Sequence, residues 1–167
     1  MAPKIWATHE GGMQFEVGEQ LREPIGSVHS YQIDEQVDLG EEGELPVRGK
    51  VDFVKTRRGL LVTGDLEAQR QVPCDRCLVN FNLLLPFRLE EEFLPTVNPV
   101  VGGTLPPPED ETTFTINERQ VLDLTDALRQ YILLAVPLKQ LCRPGCLGLC
   151  PRCGYNLNQG PHTCPKD

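Results

Sequence analysis

From Val47 onward apolar and polar residues alternate along the chain. In VRGKVDFVKTRRGLLVTGDLEAQRQV, Val47, Gly49, Val51 and Phe53 take one parity, TRRG interrupts, and LLVTGDLEA resumes, which predicts a β-hairpin. After PCDRC the alternation returns in VNFNLLLPFRLEEEF, with Phe81, Leu83, Leu85, Phe87 and Leu89 on one face, while Pro86 predicts an edge or a bend. TVNPVVGGTLPPPEDETT mixes glycine, proline and acids and predicts a mobile loop over about 96–113. Then the period changes. Leu124, Ala127, Leu128, Tyr131, Ile132 and Ala135 follow the 3,4 spacing of one buried helix face, with Asp123 as a cap and Pro137 as the stop. No repeat is visible in the sequence.

The predicted fold class is α+β, mainly antiparallel β: a hairpin-rich sheet or partial barrel with one packed helix and a C-terminal cysteine-rich tail. The predicted division is a β body over 1–136, ending in the helix, and a tail over 137–167. A chain of 167 residues with 40% hydrophobic content supports one sizeable core and a small appendage. The first residues show no cationic run leading into an apolar stretch, and no window approaches the ~20 apolar residues of a membrane span, so the expectation is a soluble, cytoplasmic protein.

Charge separates the two parts. The net charge is −8, and residues 137–167 carry Lys139, Arg143, Arg152 and Lys166 against Asp167, a net of +3 that leaves −11 for the rest. An acidic body repels phosphate backbones at long range and attracts basic proteins, so only the tail has a charge suited to nucleic acid.

The seven cysteines set the chemistry. In a reducing compartment clustered thiols point to metal ligation or redox work rather than to a disulfide framework. In CPRCG, Cys150 and Cys153 have the spacing at which two thiolates grip one tetrahedral ion, ~2.3 Å from zinc, and Gly154 permits the tight turn that follows. Two more ligands are needed. Cys142, Cys146 and Cys164 are the candidates, with His162 ranked behind them, and spacing does not choose among them. A tail with few large apolar side chains would draw its folding free energy from bound zinc, the alternative being unligated cysteines in a disordered segment.

Cys74 and Cys77, in PCDRC, allow several readings: half of a second metal site, a site shared with Cys150 and Cys153, a redox dithiol, or two small buried side chains. A zinc deaminase would also need a His-x-Glu element. None of the three histidines, His9, His29 and His162, has glutamate two residues on, and no phosphate loop, nucleophile elbow or His-Glu-x-x-His helix occurs. The sequence therefore favours a non-enzymatic role with no small-molecule substrate.

Taken in order, LLVTGDLEAQRQVPCDRCLVNFNLLLPFRLEEEF, LDLTDALRQYILLAVPLKQLC and CLGLCPRCGYNLN resemble the YceD-like family of bacteria and plastids over roughly positions 45 to 160. The most specific features are the Cys74/Cys77 pair with Arg76 and Leu78, the helix ending Leu-Ala-Val-Pro, and the Gly-Leu-Cys-Pro-x-Cys-Gly knuckle. The resemblance implies a ribosome biogenesis factor supporting 23S rRNA accumulation and large-subunit assembly. Its implied partners are a basic large-subunit ribosomal protein, 23S rRNA or a pre-ribosomal particle, with no membrane. Relatives that keep the first Cys-x-x-Cys without the terminal knuckle favour a separable metal-bound tail. On this reading Arg143, Arg152, Tyr155 and Lys166 are candidate RNA contacts. The competing class is a thiol-based redox or metal-responsive regulator, which requires reactive thiols in place of metal-protected ones.

Overall fold

The computed structural model describes residues 13–164, the side chain of residue 42 excepted. Seven strands form one sheet: β1 (Gln14–Glu16), β2 (Val28–Asp38), β3 (Glu44–Lys55), β4 (Leu60–Pro73), β5 (Asn80–Pro95), β6 (Thr115–Ile116) and β7 (Val121–Asp123), in the order β1-β7-β6-β5-β4-β3-β2. The one α-helix among the described residues, α1 (Thr125–Ala135), packs on β5 and β2.

The alternation read from sequence becomes the long β3–β4 hairpin, with Val47 opposite Ala68 and Phe53 opposite Val62. The Thr56 hydroxyl accepts the Arg58 and Gly59 amide N–H groups and so pins the turn. Val47, Val51, Phe53, Val62 and Ala68 are fully buried, because residues of one parity share the concave face. Gly49 and Gly64 let the hairpin coil over that face: a Cβ on either would collide with a backbone carbonyl of the opposite strand, Asp65 or Lys50. The parity of β5 is also as the sequence predicts, with Leu85 and Leu89 buried and Phe81, Leu83 and Phe87 partly so. Pro86 is tolerated because β6 meets β5 at Leu94 and Pro95 alone, which leaves the far side of β5 unpaired at Pro86.

Two features refine the expected architecture. The β5–β6 pairing is parallel, so the sheet is mixed, although every other pairing is antiparallel. The sheet also curls into a half-barrel. Its end strands β1 and β2 approach each other through Phe15, Tyr31 and Phe53, whose ring centroids lie 4.7–5.0 Å apart. Helix α1 seals the open side with Ala127, Leu128 and Ile132, joined by Leu124 just before it, all fully buried. Asp123 lies in β7, and its carboxylate accepts the Thr125 N–H, satisfying one of the helix's orphan donors. The 96–113 segment is irregular, with an isolated Val97–Thr104 bridge and a turn closed on the Asn98 side chain. No helix among the described residues is long and apolar enough to cross a membrane.

The fold positions the chemistry by where β4 and α1 end. Strand β4 delivers Cys74 and Cys77 into the turn before β5, and the chain leaving α1 returns to that turn. The Asp75 N–H donates to the Gln140 carbonyl at 2.9 Å, and the Gln140 N–H donates to Asp75 Oδ2 at 2.6 Å. Arg76 reaches over and donates to the Cys146 carbonyl at 2.9 Å.

Candidate metal centres

This return path sorts the cysteines. Cys74, Cys77, Cys142 and Cys146 come together as one group, and Cys150, Cys153, His162 and Cys164 as another, with the donor atoms of each group within 4.8 Å of one another. The five tail cysteines named from sequence are therefore not gathered into one compact site: Cys142 and Cys146 join the body pair, and the knuckle finds Cys164 and His162 instead. Cys74 and Cys77 do not meet Cys150 and Cys153.

Each Cys-x-x-Cys turn is built the same way. In the first, the Cys74 N–H donates to the Val79 carbonyl and the Leu78 N–H to the Cys74 carbonyl, at 3.0 and 2.9 Å. In the second, the Cys150 N–H donates to the Tyr155 carbonyl and the Gly154 N–H to the Cys150 carbonyl, at 2.7 and 2.9 Å. Both turns place the residue after the second cysteine in the left-handed region, Gly154 at φ 74° and Leu78 at φ 60°. The shared geometry aims backbone N–H groups at the sulfurs. It is a structural repetition that the sequence hides, because leucine stands where glycine is expected.

The inner group is buried. Cys74, Cys77 and Cys146 are at most 5% exposed, Cys142 is half-buried, and Phe81, Leu141 and Leu149 pack around them. Sγ–Sγ distances are 3.8 Å for Cys74–Cys146 and 3.6 Å for Cys77–Cys142. A tetrahedron with metal–sulfur bonds of ~2.3 Å has edges of about 3.8 Å, so the thiols already stand at the separations a zinc-sized ion requires. The Cys142 N–H and the Asn158 amide donate to Cys74 Sγ and Cys146 Sγ, each at 3.4 Å, supplying the outer hydrogen bonds that thiolates need.

The outer group is wetter: Cys153 is exposed and its three partners are half-buried. Cys150 Sγ and Cys164 Sγ are 3.8 Å apart, again the tetrahedral edge. Cys153 Sγ and His162 Nε2 are 3.0 Å apart, shorter than the ~3.6 Å expected between a sulfur and a nitrogen ligand, so this pair would spread by about half an ångström around an ion. The His162 ring stacks on Tyr155 at 4.4 Å and 15°, which fixes its plane.

Without a cation each group divides its protons unequally. Burial pushes the Cys74 thiol up, but the N–H groups of Cys142, Cys77 and Arg76 outweigh it and hold it down at about 6. Burial and then the Cys77, Cys146 and Cys74 sulfurs push Cys142 up to about 12. In the outer group, the Cys153 and Arg152 N–H groups hold Cys150 down at about 6, while hydrogen bonding to Cys153, burial and Cys150 push Cys164 up to about 11. Neighbouring thiolates repel, so some sulfurs must keep their protons. A divalent cation at the centre lets all of them ionise.

Sequence reasoning ranked His162 last, since a single histidine between Pro161 and Thr163 carries no spacing signal of its own. It did not find Asn158. That side chain donates to Cys146 Sγ and accepts from Arg143 Nη2 at 2.7 Å and the Leu147 N–H at 2.9 Å, so it ties the outer loop to the inner group. Among the candidate RNA contacts, Arg143 is exposed but bonded to Asn158, Arg152 is exposed, and Tyr155 is half-buried with one face against His162; Lys166 lies outside the described residues.

The fold and its donors define a class: a curled β body with one sealing helix, carrying two cysteine-rich groups able to hold metal ions. Residues 62–167 match the family described as large ribosomal RNA subunit accumulation protein YceD, and the chain belongs to that family. It is 33% identical over 103 residues to an uncharacterised protein of Mycobacterium tuberculosis, covering 62% of this chain and 47% of that protein. Two proteins named large ribosomal RNA subunit accumulation protein YCED homolog 1, chloroplastic, are also similar. The one from Zea mays is 29% identical over 143 residues, covering 71% of this chain and 48% of its own length, and the one from Arabidopsis thaliana is 23% identical over 143 residues, covering 73% and 44%. The chain spans about half the length of these relatives. No solved structure matches it.

Proposed function

We propose that this protein is a ribosome biogenesis factor that supports accumulation of 23S rRNA and assembly of the large subunit, acting by binding and not by catalysis. The observation that carries the reading is the family match over residues 62–167, which takes in every donor of both metal groups. The family's name describes accumulation of an RNA and no reaction. The protein works in the compartment where its ribosomes are made: the cytoplasm in a bacterium, as the plant relatives' chloroplastic names are to the plastid.

The division of labour follows charge. The acidic body attracts a basic large-subunit ribosomal protein, and the cationic tail, with Arg143, Arg152 and Lys166, lies against rRNA or the maturing particle. Part of the acidic surface is spoken for internally: Glu91 accepts the Tyr131 hydroxyl, Glu92 the Thr56 hydroxyl and Asp110 the Thr112 hydroxyl and N–H, leaving Glu41, Glu44, Glu90, Glu109 and Glu111 for a partner. The cysteine groups hold zinc as a structural ion, a reading supported by their all-sulfur and sulfur–nitrogen donor sets and tetrahedral spacing.

Depletion of the protein should lower the 23S-to-16S rRNA ratio and the large-subunit peak on a sucrose gradient, with restoration by the wild-type chain. An unchanged ratio and an unchanged gradient would remove the ribosomal reading. The alternative, a thiol redox or metal-responsive regulator, draws on the two thiols held near 6. It requires those thiols to react with peroxide or an alkylating agent in the zinc-loaded protein, whereas structural zinc shields them.

A further inference from the structure

Resting on the zinc reading above, we infer that the chain binds two ions with unequal duties: an inner all-thiolate ion that staples the tail to the β body, and an outer three-thiolate, one-imidazole ion that closes the terminal loop alone.

The sequence order of the donors makes the case. The inner group joins residues separated by 65 and 72 positions, Cys77 with Cys142 and Cys74 with Cys146, so one ion there would link the end of β4 to the chain beyond α1. The outer group joins residues 14 and 9 positions apart, Cys150 with Cys164 and Cys153 with His162, and touches no body residue through its donors. Cross-linking distant positions removes more unfolded-chain freedom than closing a short loop, so the inner ion orders more of the molecule.

Surroundings set the ions further apart in character. The inner sulfurs are enclosed by Phe81, Leu141 and Leu149 and covered by the outer loop through Asn158, while Cys153 faces solvent. Water and chelators therefore reach the outer ion first. Apart from hydrogen bonds exchanged with Asp75, one donated by Arg76 and one from the Cys142 N–H to Cys74 Sγ, little holds the 139–147 segment to the body: Leu138 and Leu147 are exposed, and the partly buried apolar side chains packed there surround the inner sulfurs themselves. The dependence is unequal. Losing the outer ion leaves the inner four donors in place and loosens only the Asn158 donor to Cys146 Sγ, but losing the inner ion frees the segment that carries the outer knuckle.

The test uses the full chain loaded with zinc, counted by native mass spectrometry, and the same chain loaded with cadmium-113 for NMR. Two ions per chain are expected. The cadmium form should give two resonances, the more deshielded one belonging to four sulfurs, and a chelator should remove the other one first. Cys164→Ser and His162→Ala should each lose one ion and keep the all-sulfur resonance, with trypsin cleavage after Lys139 remaining slow. Cys77→Ser should lose the all-sulfur resonance and become at least tenfold faster to cut after Lys139. One ion per chain, loss of both ions in Cys164→Ser, or cleavage after Lys139 unchanged in Cys77→Ser would overturn the division, and the cadmium spectrum of the unmutated chain decides the ligand sets even if a variant fails to fold. A metal-free protein with seven freely reacting thiols would instead sink the zinc reading itself.

Discussion

The two knuckle turns place different residue types at the same left-handed position, and exchanging them tests the backbone argument. Gly154 and Leu78 occupy equivalent left-handed positions, at φ 74° and 60°. Placing leucine at 154 imposes the left-handed cost of roughly 1–2 kcal/mol on a residue with a Cβ. It also removes roughly 0.5–1 kcal/mol of glycine's freedom in the unfolded chain. No atom lies within 4 Å of a Cβ built at 154, so collision adds nothing. Gly154→Leu should therefore destabilise the outer turn by about 0.5–1 kcal/mol. Folding of that turn is coupled to metal, so the same energy weakens apparent zinc affinity about two- to fivefold, tenfold being 1.4 kcal/mol.

The reverse exchange has a different balance. Leu78→Gly relieves the left-handed cost but returns the entropy, and it gives up the buried third of a side chain that is 66% exposed, roughly 0.5–1 kcal/mol of the 1.5–3 kcal/mol that full burial contributes. The net is near zero. Both variants are measured by titrating the zinc-loaded chain with a chromophoric chelator and by thermal unfolding. If Gly154→Leu matched the wild type while Leu78→Gly lost 2 kcal/mol or more, left-handed strain would not govern these turns and the reasoning would be wrong.

Other consequences are open to measurement. Gly64→Val puts side-chain atoms into the Lys50 carbonyl and should cost about 3 kcal/mol or more in urea unfolding followed by circular dichroism, while Tyr131→Phe, which loses hydroxyl bonds to Glu91 and the Glu90 carbonyl, should cost roughly 0.5–1.5 kcal/mol. Asn158→Ala removes the donor to Cys146 Sγ and should weaken inner-site zinc affinity about tenfold in a competition titration; an unchanged affinity would deny Asn158 its bridging part. Burial, with Glu23 near Tyr31 and Glu91 near Tyr131, raises both phenols above their ordinary value of 10.0. The folded state then keeps protons that the unfolded chain gives up, so the contribution of these two phenols to stability should be flat below pH 10 and be lost as pH rises through the folded values, visible as delayed phenolate absorbance in an alkaline titration.

Much of the body was legible because its signals are local. Alternation from Val47 to Phe53 and from Phe81 to Leu89 is the footprint of a sheet buried on one face, and the 124–135 stripe is that of a helix on a core. The parallel β5–β6 contact and the meeting of Phe15 with Tyr31 were not legible, since strands of two or three residues carry no period and the closing of a sheet depends on partners far away in sequence. Asp123 was read as a cap from its position and is a strand residue that performs part of a cap's work.

By itself the sequence determined the donor chemistry: seven thiols, two of the pairs at the spacing that one tetrahedral ion accepts, and a glycine after the second knuckle. Spacing is a property of a turn, and a turn is encoded where it stands. Which pairs face each other was decided only by tertiary structure, because a tetrahedral group needs four donors within one small volume. Here the end of β4 and the return of the chain after α1 bring Cys142 and Cys146 to Cys74 and Cys77, leaving Cys164 and His162 to Cys150 and Cys153.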